Sequence, residues 1–160
     1  MNTIVIPLLS HLSWKSFGKD KKIWKNRNRK EKKIWYNKGI TITFIETTKG
    51  YKFGGYTELP WDKSNSCKKD KSTFIFSFNN KQKYTPRNNN DSIGCYEKCG
   101  PRFGNTNYQE IYFYESLNRG QSYDGDNCTF IRNRLLTNGE EYWDVKEVEF
   151  HKINYLNYSN

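Results

Sequence analysis

From residue 40 onward the apolar positions alternate with polar ones instead of recurring at helical spacing. Ile40, Ile42 and Phe44 fall on one face of an extended segment and Thr41 and Thr43 on the other, the period of two that a strand imposes. Lys49-Gly50 is a turn signal, and Tyr51 to Tyr56 reads as the second arm of a hairpin. Residues 57 to 71, with Pro60, Asn65 and a lysine-rich run, read as a loop. Phe74, Phe76 and Phe78 then put three rings on one face, the clearest core strand in the chain. Asn79-Asn80 predicts a turn into a short returning strand at Lys81 to Thr85, followed by a polar loop from Pro86 to Asp91. Ser92 to Tyr96 and Tyr108 to Glu115 are further strands, separated by a turn at Gly100-Pro101-Arg102-Phe103-Gly104. Asn118 to Gly120 and Asp124 to Asn127 mark two more turns.

The last strand contains a break in parity. Trp143 and Val145 are odd, Val148 and Phe150 are even, so a regular strand would send the two pairs to opposite faces. One extra residue near Lys146-Glu147, a β-bulge, returns all four to one side. Asn138-Gly139 just ahead of it is a hairpin signal, because both residues tolerate positive φ. Between residues 12 and 36, Ile23, Trp24, Ile34 and Trp35 supply the apolar stripe of a short helix. Short strands punctuated every ten or so residues predict a mainly β fold, a two-sheet antiparallel β-sandwich. The 160 residues suit one domain, and 27 aromatic side chains (10 Phe, 12 Tyr, 5 Trp) can fill its core.

Two glycine-anchored motifs stand out against this pattern: Phe53-Gly54-Gly55-Tyr56 followed by Trp61, and Gly100 to Gly104. In each, glycine lies beside large aromatics, as a sheet needs where a ring covers missing side chains. The order FGGYT, W, TFIFSF, SIGCY, GPRFG and EYWDVKEVEFHKI resembles the TLDc domain family over about residues 37–153. The resemblance implies a two-sheet antiparallel sandwich with little helix, acting as a protein-binding module. It further implies a link to oxidative-stress resistance and binding to the peripheral sector of the vacuolar proton-pumping ATPase. Gly54, Gly55, Trp61, Gly100, Pro101, Phe103 and Gly104 are then the structural motif residues. The chain divides into a divergent or partly disordered basic segment at 1–36 and a TLDc-like domain at 37–156. Family members usually carry an additional helix and strand before the first sheet. Without a substitute for them, the sandwich would present an unpaired strand edge.

Charge sharpens this division. The net +10 is concentrated in residues 19–33, which hold nine Lys or Arg against Asp20 and Glu31. Flanked by Trp24 and Trp35, this arm suits single-stranded nucleic acid or an anionic membrane, although such runs are more often solvated. The absence of alanine alongside abundant Lys, Asn, Tyr, Ile and Phe points to compositional bias behind part of the charge. The apolar stretch Thr3 to Trp14 is too short to span a bilayer and lacks a basic lead and a cleavage site. That predicts a cytoplasmic protein with reduced Cys67, Cys95, Cys99 and Cys128, in which the glycosylation-like triplets at Asn90, Asn127 and Asn157 carry no meaning.

Candidate chemistry is sparse. Gly100 to Gly104 lacks the lysine and hydroxyl of a phosphate loop. Its Arg102, held outward by the turn, would suit a bidentate contact with a partner's carboxylate. Cys95 and Cys99 bracket the same turn, which makes a redox pair the alternative function, yet no neighbouring basic residue clearly activates either thiol, Lys98 having at most a slight effect on one. Acyl transfer or general base chemistry needs a histidine near a nucleophile and an acid; His11 lies outside the resemblance and His151 sits in the final strand beside Phe150, so both read as packing or surface residues, and the cysteines and histidines are too scattered for a zinc site. The expectation is a non-enzymatic chain with no cofactor and no metal.

Overall fold

The computed structural model describes residues 23–24, 35–87, 90–114, 116–130 and 134–153. Their regular structure is strand: β1 (Ile23–Trp24), β2 (Thr41–Thr47), β3 (Lys52–Thr57), β4 (Ser66–Lys68), β5 (Phe74–Ser77), β6 (Gln82–Tyr84), β7 (Ile93–Cys95), β8 (Arg102–Gly104), β9 (Gln109–Phe113), β10 (Arg119–Gln121) and β11 (Tyr142–Lys152). A three-residue 3-10 turn, Leu135–Thr137, is the helical element among the described residues. All named strand pairs are antiparallel.

The ladder does not divide into two separate sheets. It runs continuously in the order β4-β7-β8-β9-β10-β11-β2-β3-β5-β6 and curls into a half-barrel. The cause is β11, whose first residues pair with β10 while the stretch from Val145 onward pairs with β2. Its register shifts between Val145 and Glu147, the bulge expected from the parity break. Trp143, Val145, Val148 and Phe150 consequently all meet one core cluster. A bulge bends and twists its strand, so one long strand serves both halves of the sheet.

That central core joins the two halves. Ile45, Phe53 and Ile75 reach it from β2, β3 and β5, and Ile93, Phe103, Ile111 and Phe113 from β7, β8 and β9. A second cluster, Ile42, Phe44, Tyr56, Phe74 and Phe76, occupies the opposite face of β2-β3-β5. Phe74 and Phe76 are buried as expected and Phe78 packs beside them, but in this outer cluster; it is Ile75 that enters the central one. Both faces of this half are therefore apolar, and the threonines of β2 are buried with the rest.

Several local expectations change. Lys49-Gly50 and Asn79-Asn80 do turn β2 into β3 and β5 into β6. Residues 57–71 are not all loop, because β4 pairs with β7 and Trp61 bridges Tyr36. Arg102–Gly104 is a strand between β7 and β9, not a turn. The turn expected at Asn118 to Gly120 falls earlier, at Leu117, whose φ is 56° and whose amide donates to Tyr114 O. Asn138 and Gly139 take positive φ, yet they end the 3-10 turn instead of joining paired strands. Ile23 and Trp24 lie in a strand against Glu149 and Val148, not in a helix. That strand pairs with Val148 and Glu149 of β11, so this stretch of β11 is not an unpaired edge. Trp35 is 5% exposed and packs on Phe150 with ring centroids 4.8 Å apart, so the packed body includes residues ahead of 37.

Candidate functional site

The two glycine motifs meet inside the half-barrel. A Cβ on Gly55 would lie 2.5 Å from ring atoms of Phe103, so the β8 ring sits directly over the bare β3 backbone. Trp61 closes the other side of Phe103, edge-on at 5.3 Å, and its indole N–H donates to Thr41 Oγ1 at 2.9 Å. Gly54 faces the other way, against Thr43 O and the Phe76 ring. Gly100 leaves room for Leu117 and Phe113. Pro101 is buried, and Gly104, at φ 125°, lies against Glu110 and the Tyr108 carbonyl. Each motif residue is committed to packing.

Arg102 behaves differently from the expectation that the turn would hold it outward. It is half-buried on the outer face of β8, with its guanidinium carbon 4.4 Å from the Tyr96 ring centre and 4.3 Å from that of Tyr112. Arg102 is registered with Tyr112 on β9 and with Gly94 on β7. A Cβ on Gly94 would touch Tyr96 at 3.1 Å and Arg102 at 3.3 Å, so its absence gives the stack its space. Arg102 Nη2 donates to Cys99 Sγ at 2.7 Å, while Nε is buried without a hydrogen-bond partner. Cys67, registered with Gly94, extends the same outer row, and its Sγ lies 3.5 Å from Tyr96 Oη.

The four cysteines are free. Cys95 belongs to the central core, whereas Cys99 touches Arg102 and Tyr112 on the outer face. The bracketing pair thus occupies two different environments. Burial pushes the Cys95 thiol up and the Cys128 thiol up to about 12. The contact with Cys67, and then burial, push the Tyr96 hydroxyl up to about 12. Burial, followed by the charge of Cys99, raises Tyr112.

Tyr96, Tyr112 and Cys67 were not singled out from the sequence. The available signal was alternation: Ile111 and Phe113 face the core, so Tyr112 must face outward. Elsewhere, two adjoining polar grooves of about 390 and 430 Å³ share Lys69 and Asn90, the second adding Lys71 and Arg87. The described residues contain no group of three side chains able to hold a metal. No helix among them is long and apolar enough to cross a membrane. Apart from Ile23–Trp24, the basic arm 19–33 lies outside the described residues, as does His11.

The TLDc domain model matches residues 30–154, more than three quarters of the chain. The chain belongs to the TLDc domain family. The match begins ahead of residue 37 and takes in Trp35 and Tyr36, which the structure packs against Phe150 and Trp61. No curated protein matches the chain. In this TLDc domain the glycine motifs build the frame, and the Tyr96-Arg102-Tyr112 stack with its two thiols is an outer-face constellation of polar chemistry.

Proposed function

We propose that this TLDc domain is a non-enzymatic, cytoplasmic protein-binding module whose partner is the peripheral sector of the vacuolar proton-pumping ATPase, in a role tied to oxidative-stress resistance. The observation that carries the reading is the family match over residues 30–154 on a chain whose motif residues are spent on packing. A rigid half-barrel with its glycines covered by rings holds loops and grooves in fixed relation, and a preorganised surface binds without a large ordering cost. Affinity in such a module comes from a few anchors, aromatic or Arg, and nothing is turned over. The second groove sets Lys69, Lys71 and Arg87 against one carboxylate, Asp70, a net positive lining that favours an acidic segment on the partner.

The test is direct binding of the tagged full chain to the purified peripheral sector, measured by interferometry. Saturable binding that weakens when Lys69, Lys71 and Arg87 are neutralised supports the reading. No binding to that sector, with only RNA recovered from lysate and only while residues 19–33 are present, overturns it.

A further inference from the structure

We propose that the two adjoining grooves form one binding site for an extended acidic peptide, whose carboxylates lie over Lys69, Lys71 and Arg87 and whose main chain is held by the amides of Asn90, Asn107 and Asn127. The inference rests on the protein-binding reading above and states which part of a partner fills the site. It does not depend on which protein supplies the segment.

The walls are built from residues 69–71, 85–87, 90–92, 105–108 and 127, and hydrogen bonds stitch them together. Ser92 donates its amide to Lys68 O at 2.8 Å and its hydroxyl to Asp70 O at 3.0 Å. Arg87 N donates to Thr129 O at 2.8 Å, and Thr129 Oγ1 donates to Asp91 O at 3.0 Å. Asn105 Nδ2 donates to Asn127 O at 2.7 Å, while its Oδ1 accepts the Asn107 and Tyr108 amides. The lining is therefore set before a ligand arrives, which lowers the ordering cost of binding.

What that lining leaves unused decides the ligand. Asp70 turns its carboxylate inward, accepting from Thr57 Oγ1, Thr73 Oγ1 and the Ser72 and Glu58 amides. Among the described residues Lys69, Lys71 and Arg87 form no ion pair. Arg87 Nη2 is anchored on the Asp126 and Cys128 carbonyls at 3.2 and 3.0 Å, so its charge stays at the groove. Three cations without a carboxylate suit an acidic ligand. The first groove carries Asp91 as well as Lys69, so positive charge is concentrated in the second. In the first, the side-chain amides of Asn90, Asn107 and Asn127 make no hydrogen bond among the described residues. Each offers an acceptor and two donors, the complement of a peptide unit's C=O and N–H. Both are open grooves, unlike a pocket that buries most of a small ligand. Tyr108 is the one aromatic side chain among the described lining residues, too few for a row of stacked bases.

The test uses the folded full chain and a fluorescein-labelled peptide of about ten residues, roughly 33 Å when extended, with glutamate at alternate positions of one half and serine elsewhere. Fluorescence anisotropy at near-physiological salt compares it with two probes of equal length, one with glutamine for glutamate and one with N-methylated main-chain amides and its charge intact. The parent should bind about tenfold tighter than either. Lys69→Gln, Lys71→Gln and Arg87→Gln together should weaken it about tenfold. Asn107→Ala with Asn127→Ala should weaken the parent about fivefold and leave the N-methylated probe unchanged. All five side chains are exposed, and an unchanged melting temperature reports a folded variant; if the Arg87 change lowers it, the lysine pair decides. Equal binding of the N-methylated probe, or binding that survives the groove changes and disappears when the basic residues of 19–33 are neutralised, would overturn the proposal. So would no peptide binding by a chain that does bind the peripheral sector, an outcome that leaves the partner proposed above in place. Peptide binding without binding to that sector would support the site and overturn that partner.

Discussion

Replacing Gly55 by alanine adds one methyl group where the structure has no room for it. The new Cβ would lie 2.5 Å from two ring atoms of Phe103 and 2.7 Å from a third, against the roughly 3.5–4.0 Å that carbon atoms prefer. Relief requires the ring to retreat by about 1 Å. Phe103 is 0% exposed and wedged edge-on against Trp61, which is itself tied to Thr41, so the displacement passes into β2. Overpacking of this kind costs about 1–3 kcal/mol. The φ of Gly55 is not in the left-handed region. Absent the clash, alanine would therefore stabilise by about 0.4–1 kcal/mol through the unfolded chain, and the two readings predict opposite signs. For a domain of this size the clash should lower Tm by roughly 3–10 °C, measured by circular dichroism and checked by urea denaturation. Phe103→Leu removes the clashing ring atoms, so Gly55→Ala with Phe103→Leu should cost less than the sum of the single changes, with a coupling of about 1 kcal/mol. A neutral or stabilised Gly55→Ala, or strict additivity in the double mutant, would refute the idea that this ring over this glycine closes the half-barrel.

Phe76, 1% exposed and edge-on to Phe44 at 5.5 Å, should cost about 3–5 kcal/mol as Phe76→Ala in urea denaturation; a loss under about 1 kcal/mol would mean that the outer cluster contributes little to the core. Burial pushes the Asp70 carboxyl up, but hydrogen bonds from Ser72, Thr73 and the Ser72 and Glu58 amides outweigh it and hold it below the usual carboxylate range. Its contribution is thus present above the unfolded pKa of about 3.9 and lost as pH falls through the lower folded value, and Asp70→Asn should flatten that part of the acid limb in pH-dependent melts. Deleting Lys146 removes the extra residue of β11 and should abolish the near-ultraviolet signal of a packed core. Lys146→Ala keeps the residue count and gives up only the ion pair of an exposed lysine with Glu46, so it should leave the near-ultraviolet signal in place; similar effects from the two changes would argue against the bulge.

The outer constellation was only half legible. Cys99 and Arg102 lie three residues apart, and their neighbourhood was visible, but not their contact, because Arg102–Gly104 read as a turn that would hold Arg102 outward. Once β8 pairs with β7 and β9 at once, Arg102 must stand between residues 94–96 and 112. The glycine at 94 then decides which rings can approach it. No pattern within a single strand carries that information, since cross-strand register is a property of pairs.

The strands β2, β3, β5, β6, β7, β9 and β11 and the parity break in β11 are local consequences of side-chain alternation, and the order of residues alone determined them. β1, β4, β8 and β10, which read as helix, loop and turns, are too short to show a period and came only with their pairing partners. The continuous, curled ladder, the division of the aromatics between two clusters and the partner of each thiol are different in kind. They depend on β11 serving both halves of the sheet and on which strand lies beside which. Alternation states that a side chain points to one face or the other; only the folded chain determines what waits on that face.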